Sequence, residues 1–150
     1  MLVACASGPA LRDGVYRERA QGWTIAAPPP GWQRIRAEGA DLAFGGPEGA
    51  SLALTSRCEG APASALLLAR QLRAGLGASE LVLERELEVA GRPAALQVLA
   101  LPTSRVKTVT RAAPPCVQDF VLVVPRDLEA VEPVFDAWWA SFAPAREDAP

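Results

Sequence analysis

Histidine is missing from all 150 residues of this chain. Imidazole is the usual general base near neutral pH and the commonest metal ligand. Its absence excludes Ser-His-Asp and Cys-His catalysis and every His-bearing zinc site within the chain. Lysine is almost missing too. Of fifteen basic residues only Lys107 is a lysine, which leaves one candidate for a lysine nucleophile or Schiff base. With no histidine and no C-x-x-C pair a metal site is not expected, and no motif points to another cofactor. Charge of one sign is also lacking. Fifteen basic against seventeen acidic side chains give a net charge of -2, without the electrostatic footprint of a nucleic-acid binder. Long apolar runs are absent, since ALLLA at 65–69 and FVLVVP at 120–125 are far too short to cross a bilayer.

What is present is the composition of one globular domain. The chain is 50% hydrophobic and 21% charged. A length of 150 residues predicts one core that buries roughly two-thirds of the unfolded chain's surface. ASGPALRDG at 6–14 mixes small, Pro, Gly and polar residues and reads as a tether, and PAREDAP at 144–150 reads as a flexible tail. The domain is expected over 15–143.

Along that domain the hydrophobic period changes in a fixed order. GWTIAAPPPGWQRI holds two short apolar pieces, 23–27 and 32–35, around three prolines that cannot donate to a sheet ladder. A Gly-Gly-Pro-Glu-Gly turn separates 41–44 from 51–56 and predicts a β-hairpin. Leu42 and Phe44 share one face and Leu52 and Leu54 another. Ala65, Leu68, Ala69, Leu72 and Leu76 then fall on one stripe, which predicts a helix over 63–76 stopped by Gly75 and Gly77. From Leu81 the period returns to two, with Leu81, Leu83, Leu87 and Val89 opposite Glu84, Glu86 and Glu88, a turn at 90–93, and a strand over 94–101. A further strand over 105–112 carries Arg105, Lys107 and Arg111 on one face. The run CVQDFVLVVP at 116–125 predicts a central strand covered on both sides. The main final helix starts near Glu132 because Pro133 suits a first turn. Its buried stripe is Leu128, Val131, Phe135, Trp138 and Phe142.

This order resembles the PsbP-like fold, which is shared by an extrinsic photosystem subunit, a Ran-binding import factor and many small bacterial lipoproteins and chaperones. The residues that carry the resemblance are GWTIAAPPPGW at 22–32, ADLAF at 40–44, ELEVAGRPA at 86–94, CVQDFVLVVP at 116–125 and PVFDAWWASF at 133–142. It implies an α+β fold: an antiparallel sheet of about six to seven strands with two main helices packed on it. It implies no catalytic site. The chain looks most similar to uncharacterised bacterial lipoproteins of this fold.

Leu2-Val3-Ala4-Cys5 fits a lipobox, in which a small residue precedes the cut and the thiol of Cys5 receives diacylglycerol. A secretory signal places basic and apolar residues upstream, whereas only Met1 to Ala4 precede Cys5. Either those residues are the remnant of a longer signal or the match is accidental. The tether that follows at once favours the remnant. With Cys5 lipidated, Cys58 and Cys116 form an even pair. A bridge between them is expected in an oxidising periplasm, and the alternative is two buried thiols.

The glutamate row and the row Arg105, Lys107 and Arg111 are candidate binding faces, or else the solvent side of one sheet where they offset each other across strands. Trp32 and Trp139 are the tryptophans expected to be partly exposed and are candidates for a binding surface. Asp119, inside an otherwise apolar strand, is either a buried polar group with a hydrogen-bond partner or the residue that faces the edge of the helical cover. The expectation is a non-enzymatic lipoprotein in the bacterial cell envelope. It would face the periplasm, be held to membrane lipid through Cys5 and act as a binding or assembly module for an unidentified protein partner. The runner-up is a soluble adaptor or secretion chaperone with an apolar groove between sheet and helix. A hydrolase with an unrecognised carboxylate site is a third reading.

Overall fold

The computed structural model describes residues 8–60 and 63–147. Cys5, the expected signal remnant 1–4 and the last three residues of the expected tail lie outside them. Three short strands open the described chain: β1 (Ala10–Arg12), β2 (Val15–Arg17) and β3 (Thr24–Ala26), which pair antiparallel as one small sheet. The expected tether therefore already contains a strand. Asp13 and Gly14 adopt positive φ between Arg12 and Val15, the conformation of a two-residue hairpin turn, and this lets β1 fold back on β2.

Seven more strands make the main antiparallel sheet. They are β4 (Gln33–Ile35), β5 (Leu42–Gly45), β6 (Ser51–Arg57), β7 (Glu80–Val89), β8 (Arg92–Ala100), β9 (Arg105–Ala113) and β10 (Cys116–Val124). Their spatial order is β4-β5-β6-β10-β9-β8-β7, so two meanders meet along the seam between β6 and β10. The chain crosses from β6 to β7 through α1 (Ala65–Gly75), which lies over β8 and β9. Ser64 caps that helix by accepting from the Leu67 amide at 3.1 Å.

The other helix, α2 (Glu132–Ala140), lies with the small sheet on the opposite face. Phe135 and Trp138 pack there with Tyr16, Trp23 and Ile25 against Phe44, Leu54 and Phe120 of the main sheet. The register sets Leu42 opposite Leu54 and Phe44 opposite Leu52, so these four side chains share one core face rather than two. Edge-to-face contacts knit the layers, with the Trp138 ring 6.0 Å from Phe44 and 6.1 Å from Phe120. Beneath α1 the contact is thinner and consists of Ala65 and Ala69 against Ala95 and Ala112. β10 holds the central place in the sheet. Its α2 face is buried at Phe120 and Leu122, but Val121 and Val123 on the other face are only half-buried because α1 sits over β8 and β9.

The end of the chain is also more ordered than its composition predicts. Ala143 pairs with Thr24, and Glu147 is held in ion pairs, so the tail is fixed through position 147.

Candidate functional site

The basic row on β9 does not form a surface. Arg105 is exposed, but Lys107 is 4% exposed and Arg111 is fully buried, because the face they share is the one covered by α2 and the C-terminal segment. Lys107 Nζ donates to Glu132 Oε1 at 2.7 Å and lies 2.9 Å from Asp136 Oδ1, both on α2. Trp139 Nε1 donates to the same Asp136 at 3.0 Å, which ties the half-buried indole to the ion pair. Lys107 thus clamps helix to sheet.

Arg111 is satisfied from every side. Its Nε donates to the Val89 carbonyl at 2.8 Å, Nη1 to Gln118 Oε1 at 2.9 Å, and Nη2 to the Ala90 carbonyl at 3.3 Å and to Glu147. The guanidinium also stacks over Phe142, with its carbon 5.3 Å from the ring centroid. From Gln118 the chain of hydrogen bonds continues through Ser56 to Gln21. The fork of one arginine therefore joins the β7–β8 turn, β10 and the C-terminal segment.

The glutamates lie on the opposite face from Lys107 and Arg111, so the two charged rows cannot offset each other. Glu84 accepts from Arg70 of α1 at 2.9 Å and from Gln97 at 2.7 Å, and these bonds hold its carboxyl below the usual carboxylate range. Glu86 and Glu88 are exposed along the outer strand. A bulge between Leu81 and Leu83 shifts Leu81 out of the apolar row that simple alternation gives it.

Asp119 lies under the α1 side of the sheet. The Thr110 hydroxyl donates to it at 2.8 Å and Arg57 stands 3.6 Å away. Burial raises its pKa above the ordinary value, while the hydrogen bond and the arginine act the other way. Nearby, the Thr108 hydroxyl and the Gln97 side-chain carbonyl are buried without a hydrogen-bond partner among the described residues. No group of three or more metal-ligating side chains occurs among them either.

Two further features bear on binding. Cys58 and Cys116 are joined by a disulfide across β6 and β10. Beside it a cleft of about 460 Å³ opens between α1 and the β9–β10 turn, lined by Leu67, Leu68, Pro114, Pro115 and Val117 with Arg57 and Glu59 at its mouth. Trp32 is half-buried against Gly46, where any side chain would overlap the indole, so glycine is required there. The glutamate row was anticipated as a candidate binding face and an apolar groove between sheet and helix as a partner site, but neither the place of that row on an edge strand nor the residues of the cleft were. The Pro-Pro turn next to a cysteine is the signal that could have found the cleft.

No protein-family model and no curated protein matches the chain. Among solved structures it is similar to cyanobacterial PsbP (CyanoP) from Synechocystis sp. PCC 6803, at 14% identity and a TM-score of 0.67, covering 97% of this chain and 97% of that one. It also aligns with a protein from Bacteroides thetaiotaomicron at 12% identity and a TM-score of 0.46, over 83% of this chain and 46% of the other. The likeness to cyanobacterial PsbP establishes a PsbP-like α+β fold: two helices with antiparallel sheets of three and seven strands.

Proposed function

We propose that this chain is a non-enzymatic binding or assembly module held to a bacterial membrane through a lipidated Cys5 and facing the periplasm. The observation that carries the proposal is Leu2-Val3-Ala4-Cys5 set just ahead of a domain whose first described residues are already tied down. Arg34 on β4 donates to the Pro9 carbonyl at 2.8 Å. Four residues from Cys5 to Pro9 span at most about 14 Å when extended, so an anchored domain would sit close against the lipid surface. Two or more acyl chains hold such a protein stably, whereas one holds it only marginally. The disulfide agrees with export to an oxidising compartment. No helix among the described residues is long and apolar enough to cross a membrane.

Metabolic labelling with radioactive palmitate in a bacterial host tests the anchor, with the gene expressed from its native locus including upstream sequence. Wild type is expected to carry label and to fractionate with membranes, and Cys5→Ser to carry none. Unlabelled wild-type protein in the soluble fraction overturns the anchor. That result would leave the runner-up, a soluble adaptor, which the cleft between Leu67, Leu68 and the Pro114–Pro115 turn favours as a place for a partner segment.

A further inference from the structure

We infer that β7 is an acceptor edge, which adds an extended strand of a basic partner to the main sheet by main-chain pairing. β7 is the outermost strand and pairs only with β8, so every second backbone N–H and C=O along its ten residues faces outward. The opposite edge is built differently. β4 has three residues, and the segment before β1 is bonded to its Arg34.

The side chains of β7 say which strand fits. Val82 is 61% and Leu83 44% exposed, so one end of the edge offers uncovered apolar surface. Beyond the bulge, Glu84, Glu86 and Glu88 project from one face at every second residue; Glu84 is paired with Arg70 of α1, Glu86 and Glu88 are exposed, and Arg85 is the cation on the other face of the strand. A second copy is a poor occupant. Two β7 strands paired antiparallel about a two-fold axis place residues of like parity opposite one another. Centring on Arg85 opposes Glu84 to Glu86, centring on Leu87 opposes Glu86 to Glu88, and centring on any of the glutamates opposes it to itself. Like charges directly opposite destabilise a strand pair, whereas Lys or Arg opposite Glu stabilises it. The edge therefore rejects its own kind and suits a strand with basic residues at alternate positions.

The proposal names a partner chemistry for the binding module proposed above but does not depend on its anchor. An unlabelled Cys5 leaves it standing. Its test is titration of the full chain with acetyl-(Val-Lys)4-amide, read by fluorescence anisotropy and by amide hydrogen exchange. Binding is expected, with added protection confined to 82–88. Glu86→Lys with Glu88→Lys should weaken it about tenfold, two cross-strand charge pairs being reversed, while leaving the melting temperature unchanged because both residues are exposed. N-methylation of alternate peptide amides should abolish it. No binding, undiminished binding of the N-methylated peptide, protection elsewhere, or self-association through β7 in sedimentation would each overturn the proposal. No binding, or protection elsewhere, would leave the glutamates as a guard against edge pairing only.

Discussion

At the scale of single residues, charge in this chain works mostly inward. Arg111 is the clearest case, because removing its guanidinium leaves the Val89 and Ala90 carbonyls, the Gln118 amide and Glu147 without their shared donor. Arg111→Met is expected to lower the free energy of urea unfolding by about 3–5 kcal/mol, and Arg111→Lys to recover little, since an ammonium cannot reproduce the planar fork. A loss under about 1 kcal/mol for Arg111→Met would show that water replaces the network. Asp119 gives a prediction of opposite sign. Burial raises its pKa, so the folded state binds the proton more tightly than the unfolded chain does. The stabilising contribution is fully present below the unfolded value of about 3.9 and is lost as pH rises through the raised folded value. Asp119→Asn, which keeps an oxygen for the Thr110 hydroxyl, should therefore gain urea stability over wild type near neutral pH and lose that advantage in acid. The same variant-minus-wild-type difference at both ends of the range would remove the assignment. Asp119 stood out as a polar residue inside an apolar strand, but the inward roles of Lys107 and Arg111 were not legible at a single position. Arg105, Lys107 and Arg111 alternate as an exposed row does, and only α2 and the C-terminal segment, far along the chain, decide that two of the three are inside.

At the scale of elements much more was legible, because hydrophobic period is a local property. The hairpin around Gly45 to Ala50, α1, the β7–β10 meander and α2 all stand within a few residues of where the period places them. What escaped were features in which a short signal had to outweigh composition. Asp13-Gly14 is a hairpin turn inside a segment that otherwise reads as a tether, and the bulge at Leu81 to Leu83 interrupts an unbroken apolar run. The β7–β8 turn shows how such signals can be imperfect. It has two residues between Val89 and Arg92 with φ of 48° at Ala90 and 77° at Gly91, and alanine is the wrong residue for the first position. Ala90→Gly is expected to stabilise the fold by about 1 kcal/mol in urea unfolding, since relief of left-handed strain outweighs the added freedom of the unfolded chain. A destabilised Ala90→Gly would show that the added freedom of the unfolded chain outweighs the relief of left-handed strain at this turn.

At the scale of the whole molecule the fold depends on one seam. β4, β5 and β6 form one meander and β7 to β10 another, and the sheet is continuous only because β6 pairs with β10. The apolar rungs Leu54–Phe120 and Leu52–Leu122 hold the middle of that seam, and α2 lies across it. The disulfide closes one end. Arg57 faces Val117, and the next residues outward are Cys58 and Cys116. Pairing these strands joins residues 58 apart in sequence, a separation for which the chain-entropy argument gives the cross-link up to about 4 kcal/mol through the unfolded state. Reduction, or Cys58→Ala with Cys116→Ala, should therefore lower urea stability by up to that amount. In native-state hydrogen exchange the loss should appear first in β6 and β10. The β7–β8 hairpin, whose contacts are local and need no closure of that loop, should keep more of its protection. Equal unfolding midpoints for oxidised and reduced protein would mean that the apolar rungs alone close the seam. Uniform loss of protection would mean that the two meanders unfold as one unit.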